Sequence, residues 1–138
     1  MGKYDLTVRS LRIGRWHVDF LFAPKGYDQQ EVLEYAYDCG ASDYALLQAR
    51  NLMDVCEYNC GFTFANPELL QAVVFVGPTS SGAEFIDSLT HEIHHLAVVI
   101  ADSLGIDLES EAPAYIAGNA MRELAKTVCE LGCPHCRE

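Results

Sequence analysis

Apolar and polar side chains alternate near the start of the chain. Within residues 15–22, every second side chain is large and apolar, and these residues are Trp16, Val18, Phe20 and Phe22. Because neighbouring side chains of a strand point to opposite faces, this alternation predicts a strand there and a shorter one at residues 6–9. Gly14 lies between them and predicts a hairpin turn, and Pro24 with Gly26 ends the second strand.

Two helices are predicted next. Asp28, with Glu31 three residues later, forms a capping box that opens a helix to about Cys39. A second helix starts at Ser42 or Asp43 and is predicted to end at Gly61, with a buried side that comprises Leu46, Ala49, Leu52, Met53 and Cys56.

Two short segments after these helices favour strands. Residues 62–64 contain two phenylalanines, and residues 71–76 are β-branched and aromatic. The dipeptide Asn66-Pro67 predicts a turn between them, and Gly77-Pro78 closes the second strand.

The longest periodic segment covers residues 81–105 and predicts a long, largely buried helix. Ser81 and Glu84 form a capping box, and Gly105 is typical of a left-handed C-cap. Apolar residues recur at steps of three and four, at Phe85, Ile86, Leu89, Ile93, Leu96, Ala97, Ile100 and Leu104.

A final helix is predicted from Ser110 to about residue 131. Ser110 suits an N-cap, and Pro113 is tolerated because it falls in the first turn. The predicted packing face consists of Ala114, Ala117, Ala120, Met121, Leu124, Ala125 and Val128. Together the elements predict an α+β fold in one domain over residues 1–138, a small sheet packed on helices, with the last helix antiparallel to the long one and a cysteine-rich tail at about residues 129–138.

The middle of the long helix reads His-Glu-x-x-His. At 3.6 residues per turn, His91 and His95 lie about 40° apart around the axis and about 6 Å apart along it, so both imidazoles can meet one metal ion. Glu92 lies on the flank of that face, where its carboxylate can reach a metal-bound water. The apolar surroundings indicate that the motif is embedded, where unpaired imidazoles would be costly. The competing interpretation is that the two histidines belong to an ordinary polar stripe of the helix and bind no metal.

On this motif and the acidic run after it, residues 71–131 resemble the zincin metallopeptidases of the glutamate-ligand (gluzincin-like) type, and the chain is similar to compact bacterial and prophage proteins with this motif. The resemblance implies a catalytic zinc held by His91, His95 and a downstream carboxylate. Glu111 is the first candidate, in the stretch Glu-Ala-Pro-Ala, and Glu109 and Asp107 are weaker ones. In that family, the strand at the sheet edge also holds the substrate peptide.

The resemblance implies zinc-dependent hydrolysis of peptide bonds, with a peptide or protein as substrate. Glu92 takes the proton of a zinc-activated water and passes it to the leaving amine. Tyr115 is a candidate donor to the developing oxyanion or a residue that orients Glu111, with simple packing as the alternative. Asp87 is a candidate partner of a ligand imidazole, with a surface role as the alternative. The alternative function is a catalytically silent zincin-like structural or interaction protein, such as a phage-particle component, with a stabilising metal site.

Charge and composition narrow the class of partner. The chain has 138 residues, of which half are hydrophobic, and a net charge of −11. Residues 1–25 carry five basic and two acidic side chains, and the rest carries four basic and eighteen acidic ones. An acidic body argues against a nucleic-acid partner, because binding phosphates needs clustered Lys and Arg. The apolar runs are too short for a membrane, and without an apolar core near the start we expect no secretory signal and a cytoplasmic protein.

The six cysteines are expected to stay reduced in that compartment, with metal binding or burial favoured over disulfides. If Cys56 and Cys60 lie one turn apart on the second helix, they can join Cys133 and Cys136 around a second, structural zinc. Cys129 or His135 can substitute in this set, and the alternative is a reduced, frayed tail.

Overall fold

The computed structural model describes residues 5–132, and its strands are β1 (Thr7–Ile13), β2 (Trp16–Phe22), β3 (Gly61–Asn66) and β4 (Gln71–Val76). They form one mixed sheet in the order β1-β2-β4-β3. The β1–β2 pair is antiparallel, β2 runs parallel to β4, and β3 returns antiparallel to β4 at the edge of the sheet. The predicted hairpin is confirmed, with Gly14 in its turn at φ 59°.

Four helices complete the structure: α1 (Gln29–Asp38), α2 (Asp43–Val55), α3 (Gly82–Ser103) and α4 (Ala112–Gly132). Three of them start where the sequence places an N-cap, because the side chains of Asp28, Ser42 and Ser81 each accept a hydrogen bond from a backbone amide of the first turn. After α3, Gly105 adopts φ 69°, as the predicted C-cap requires. The fold is mixed α+β, as predicted.

Each face of the sheet buries its own apolar cluster. One cluster joins the apolar face predicted for β2 to residues of β4, α3 and α4. It includes Trp16, Val18, Phe20, Phe22, Val74, Leu89, Leu96, Ile100 and Leu124. The other packs α1 and α2 on the opposite face through residues that include Leu21, Val32, Leu33, Met53, Val73 and Phe75. Because both faces are covered, β4 is buried almost throughout, which fixes the position of the helix that follows it.

The two long helices are antiparallel neighbours. A Cβ built on Gly82, at the start of α3, would collide with the backbone of Gly132, at the end of α4. The predicted packing faces are slightly too broad, because Ile86 and Leu104 of the α3 region are exposed, as are Ala114 and Ala125 of α4. Within residues 5–132, no helix is long and apolar enough to cross a bilayer.

The second helix is shorter than predicted. α2 ends at Val55 instead of reaching Gly61, and the intervening residues form a loop closed by a disulfide between Cys56 and Cys60. Asn59 in this loop has φ 63° and donates its backbone amide to the carbonyl oxygen of Pro78 at 2.8 Å. The hydrogen bond between Asn59 and Pro78, which are distant in sequence, therefore holds these residues in a loop, although Leu52 and Cys56 fit a longer helix.

Candidate metal site on helix α3

The two histidines of the motif meet at the surface of α3. Their Nε2 atoms are 3.1 Å apart, and the ring centroids are separated by 4.7 Å. Both side chains are exposed, so the prediction that the imidazoles are embedded in apolar surroundings is wrong. The expected approach of the two rings is nevertheless present, because the same nitrogen of each ring lies within hydrogen-bond distance of the other.

Glu92 is buried, unlike the two histidines. It is 6% exposed and lies against β3, where Thr63 Oγ1 donates a hydrogen bond of 2.9 Å to Glu92 Oε1. The same hydroxyl lies 3.1 Å from the backbone carbonyl oxygen of Glu92. A buried carboxylate needs such a partner, and the bond from the edge strand fixes its rotamer on the flank of the histidine pair.

Gly61 provides the space that Glu92 occupies. A Cβ at Gly61 would lie 2.5 Å from the carbonyl oxygen of Phe75 and 3.3 Å from Glu92 Oε2. Gly61 and Thr63 alternate with Phe62 along β3, so both face α3 while Phe62 packs on the opposite side of the sheet. The absence of a side chain at Gly61 therefore allows α3 and its carboxylate to approach the edge strand.

We expect Gly61→Ala to destabilise the fold by about 1–3 kcal/mol, because the new methyl group forces the backbone of β4 or the Glu92 side chain to move. Urea unfolding followed by circular dichroism measures the change. Gly118→Ala is the matched control, since its Cβ meets nothing within 4 Å and alanine gains about 1 kcal/mol in a helix. Equal stabilities of the two variants would contradict the close approach at Gly61.

A cleft of about 260 Å³ opens beside this carboxylate. It lies between the end of α2, the disulfide loop and α3, and its lining includes Cys56, Cys60, Asp87, His91 and Glu92. A larger cavity, of about 470 Å³, lies at the start of α3, but its described lining contains one carboxylate, Glu130, and no histidine or cysteine. Of these two, the smaller cleft is therefore the one that combines a histidine of the motif, His91, with Glu92.

The predicted third ligand is not gathered with the histidines. Across residues 5–132, no three His, Cys, Asp or Glu side chains form a group that could hold a metal ion. Glu111 is exposed and immediately precedes α4, near the far end of α3, and eight residues separate His95 from that end, or about 12 Å of helix. Asp107 and Glu109 lie in the same exposed loop, where Asp107 Oδ1 accepts the backbone amide of Glu109. Glu111 as a ligand stays a prediction.

The remaining candidates lie at the surface. Tyr115 is 69% exposed, one turn into α4 from Glu111, and Asp87 is exposed on α3 at the margin of the cleft that His91 lines. His94 is also exposed, with its ring centroid 6.2 Å from that of His95. The 3.1 Å contact between Nε2 atoms joins His91 and His95 and does not include His94.

The cysteines depart from the expected reduced state. Cys56 and Cys60 are bonded to each other and Cys129 is also in a disulfide, so the prediction that disulfides are disfavoured is wrong for these residues. The proposed four-thiolate zinc set would need Cys56 and Cys60 reduced, and its other members, Cys133 and Cys136, lie outside the described residues, as does His135. Cys39 keeps a free thiol, and burial, with the charges of Asp19 and Asp38, raises its pKa to about 11.

Sequence reasoning missed Thr63 and Gly61, which position Glu92. The predicted strand at residues 62–64 could have indicated both. Thr63 is its polar residue, and Gly61, two positions earlier, lies on the same face of the strand. Only the pairing of β3 at the edge of the sheet beside α3 gives these two residues a role.

No known family model matches the chain, and neither does any curated protein or solved structure.

Proposed function

We propose that the chain is a zinc-dependent peptidase whose site comprises His91, His95 and Glu92, as the resemblance to zincins implies. The observation that carries the proposal is the 3.1 Å separation of the two imidazole Nε2 atoms. Two nitrogens bound to one tetrahedral zinc, each at about 2.0–2.1 Å, lie about 3.3–3.4 Å apart. The pair therefore fits a shared ion with a shift of a few tenths of an ångström.

The environment of Glu92 supports a role as general base. Thr63 occupies Glu92 Oε1, while Oε2 lies toward Gly61, which has no side chain in the way. Glu92 can therefore take a proton from an attacking water in the cleft and deliver it to the leaving nitrogen of an amide. A bound zinc would supply the remaining chemistry, polarising the substrate carbonyl and lowering the pKa of water toward neutrality.

The position of β3 supports a peptide as the substrate. Within the described sheet β3 pairs with β4 alone, so its other edge is open for an extended peptide to add as one more strand. Thr63 of the same strand holds Glu92. A peptide on that edge would lie next to the helix that carries the proposed base.

Single histidine substitutions test this function. We expect His91→Ala and His95→Ala each to weaken zinc binding by more than about 100-fold, because losing a direct ligand costs more than losing an outer partner. His94→Ala is the matched control, an exposed histidine on the same helix, and should retain zinc. Binding is measured by competition with a chromophoric chelator, and hydrolysis with a fluorogenic peptide library.

Two outcomes would contradict the proposal. If all three histidine variants bind zinc equally well, the ion does not lie between His91 and His95. If the unsubstituted chain binds zinc there yet cleaves no peptide, the alternative of a silent zincin-like protein with a stabilising metal replaces the peptidase.

A further inference from the structure

The disulfide loop is held in place by contacts other than its disulfide. Asn59 and Ser80 exchange hydrogen bonds: Ser80 N donates to Asn59 Oδ1 at 2.9 Å, and Asn59 Nδ2 lies 3.1 Å from Ser80 Oγ. Next to them, Gly77 N donates to the carbonyl oxygen of Cys60 at 2.8 Å. These bonds tie the loop to the segment that leads into α3. Opening the disulfide therefore frees two thiols while the loop stays beside the cleft.

Those thiols would line the cleft beside His91, and His95 is not among the lining residues of that cleft. Cys56 and Cys60 line the same cleft as His91 and Glu92, and Cys60 is followed directly by Gly61, where an added Cβ would lie 3.3 Å from Glu92 Oε2. With the disulfide closed, residues 5–132 gather no set of three His, Cys, Asp or Glu side chains that could hold a metal ion, even with Cys56 and Cys60 counted, so a thiolate would have to turn toward the histidine pair after reduction. Thiolates are strong zinc ligands and combine readily with imidazole, whereas a disulfide sulfur is a poor donor.

We propose that reduction of the Cys56–Cys60 disulfide supplies the missing third ligand, a thiolate that binds the same ion as His91 and His95 in place of Glu111. This inference rests on the proposed function for the histidine pair alone. Two imidazoles and one thiolate form a three-ligand set of the kind that catalytic zinc sites use, and the fourth position stays open. The metal site is thus complete in the reduced protein and incomplete in the oxidised one.

The redox step balances with a phosphine as reductant. The sulfur–sulfur bond breaks, the phosphine gives up two electrons, and water supplies the oxygen of the phosphine oxide and the two protons of the new thiols. When zinc binds, one thiol releases its proton to solvent and the sulfur joins the ion as a thiolate.

Zinc binding is compared in the oxidised chain and in the chain reduced with tris(2-carboxyethyl)phosphine without oxygen. Both carry Cys129→Ser, Cys133→Ser and Cys136→Ser, because Cys129 is disulfide-bonded and would otherwise be left as a free thiol. We expect reduction to tighten zinc binding by about 100-fold or more, and X-ray absorption to show a zinc–sulfur distance of about 2.3 Å in the reduced form only. Cys56→Ser with Cys60→Ser should abolish both effects, and the single variants identify the ligand.

Glu111→Ala should leave the reduced-state affinity intact, whereas His91→Ala should lose the gain on reduction. An affinity unaffected by reduction, an ion with nitrogen and oxygen neighbours alone, or loss of zinc in Glu111→Ala would each overturn the inference. The absorption measurement needs no change at Cys56 or Cys60, so it decides even if those variants do not fold. Sulfur ligation without peptide cleavage supports this inference and defeats the peptidase, and cleavage with no zinc–sulfur contact does the reverse.

Discussion

Glu92→Gln is expected to abolish nearly all peptide cleavage while leaving zinc binding unchanged. The amide is isosteric with the carboxylate, and its oxygen can still accept the hydrogen bond from Thr63 Oγ1, so the side chain should stay in place. It cannot take a proton from water, however, and removing a general base costs about 10²- to 10⁴-fold in rate. The turnover of a fluorogenic peptide, together with zinc content per chain, measures both halves of the prediction.

Glu84→Gln is the matched control for Glu92. It makes the same chemical change on the same helix, in the first turn and away from the histidine pair, and should retain full activity. A Glu92→Gln variant that cleaves as fast as the control would remove Glu92 from the mechanism. Loss of zinc from this variant would instead assign the carboxylate as a ligand.

Phe75→Ala is expected to have the largest effect on stability, a loss of about 3–5 kcal/mol. Phe75 is fully buried in the central strand β4, and its ring contacts those of Tyr27 and Phe62 at centroid distances of 4.9 and 5.4 Å. Removing it leaves a cavity beneath both rings and loosens β3, which carries Thr63. Because domains are stable by about 5–15 kcal/mol, this single change removes a large share of the total.

Urea unfolding of Phe75→Ala and Tyr44→Ala separates burial from aromatic character. Tyr44 is 70% exposed on α2, and its loss should cost less than about 0.5 kcal/mol. If the two variants unfolded at the same urea concentration, the buried ring of Phe75 would not contribute to the stability of the fold as its packing indicates.

The sequence predicts the elements near the site well because their signals are local. Ser81 and Glu84 start α3, Gly105 ends it, and the β-branched run gives β4 at the bounds observed. The approach of His91 to His95 follows from helical periodicity alone. Each of these features depends on residues within one or two turns of each other.

The features that the sequence misses depend on distant residues. Thr63 and Glu92 are 29 positions apart, and their hydrogen bond exists because β3 is the edge strand beside α3. The early end of α2 follows from the contacts of Asn59 with Pro78 and Ser80, and no glycine or proline at residues 55–60 announces it. Periodicity, which placed Cys56 and Cys60 on a helix, carries no information about such contacts.

The parallel contact between β2 and β4 governs the order in which the chain can assemble. Residues 23–70 separate these strands, so the chain must close a long loop before their pairing stabilises anything, and such distant contacts slow folding. In contrast, β3, β4 and α3 follow one another within residues 61–103 and include Thr63, Glu92 and both histidines. The slow step is therefore the docking of the amino-terminal hairpin, whereas the segment that carries the proposed site can form its contacts among residues close in sequence.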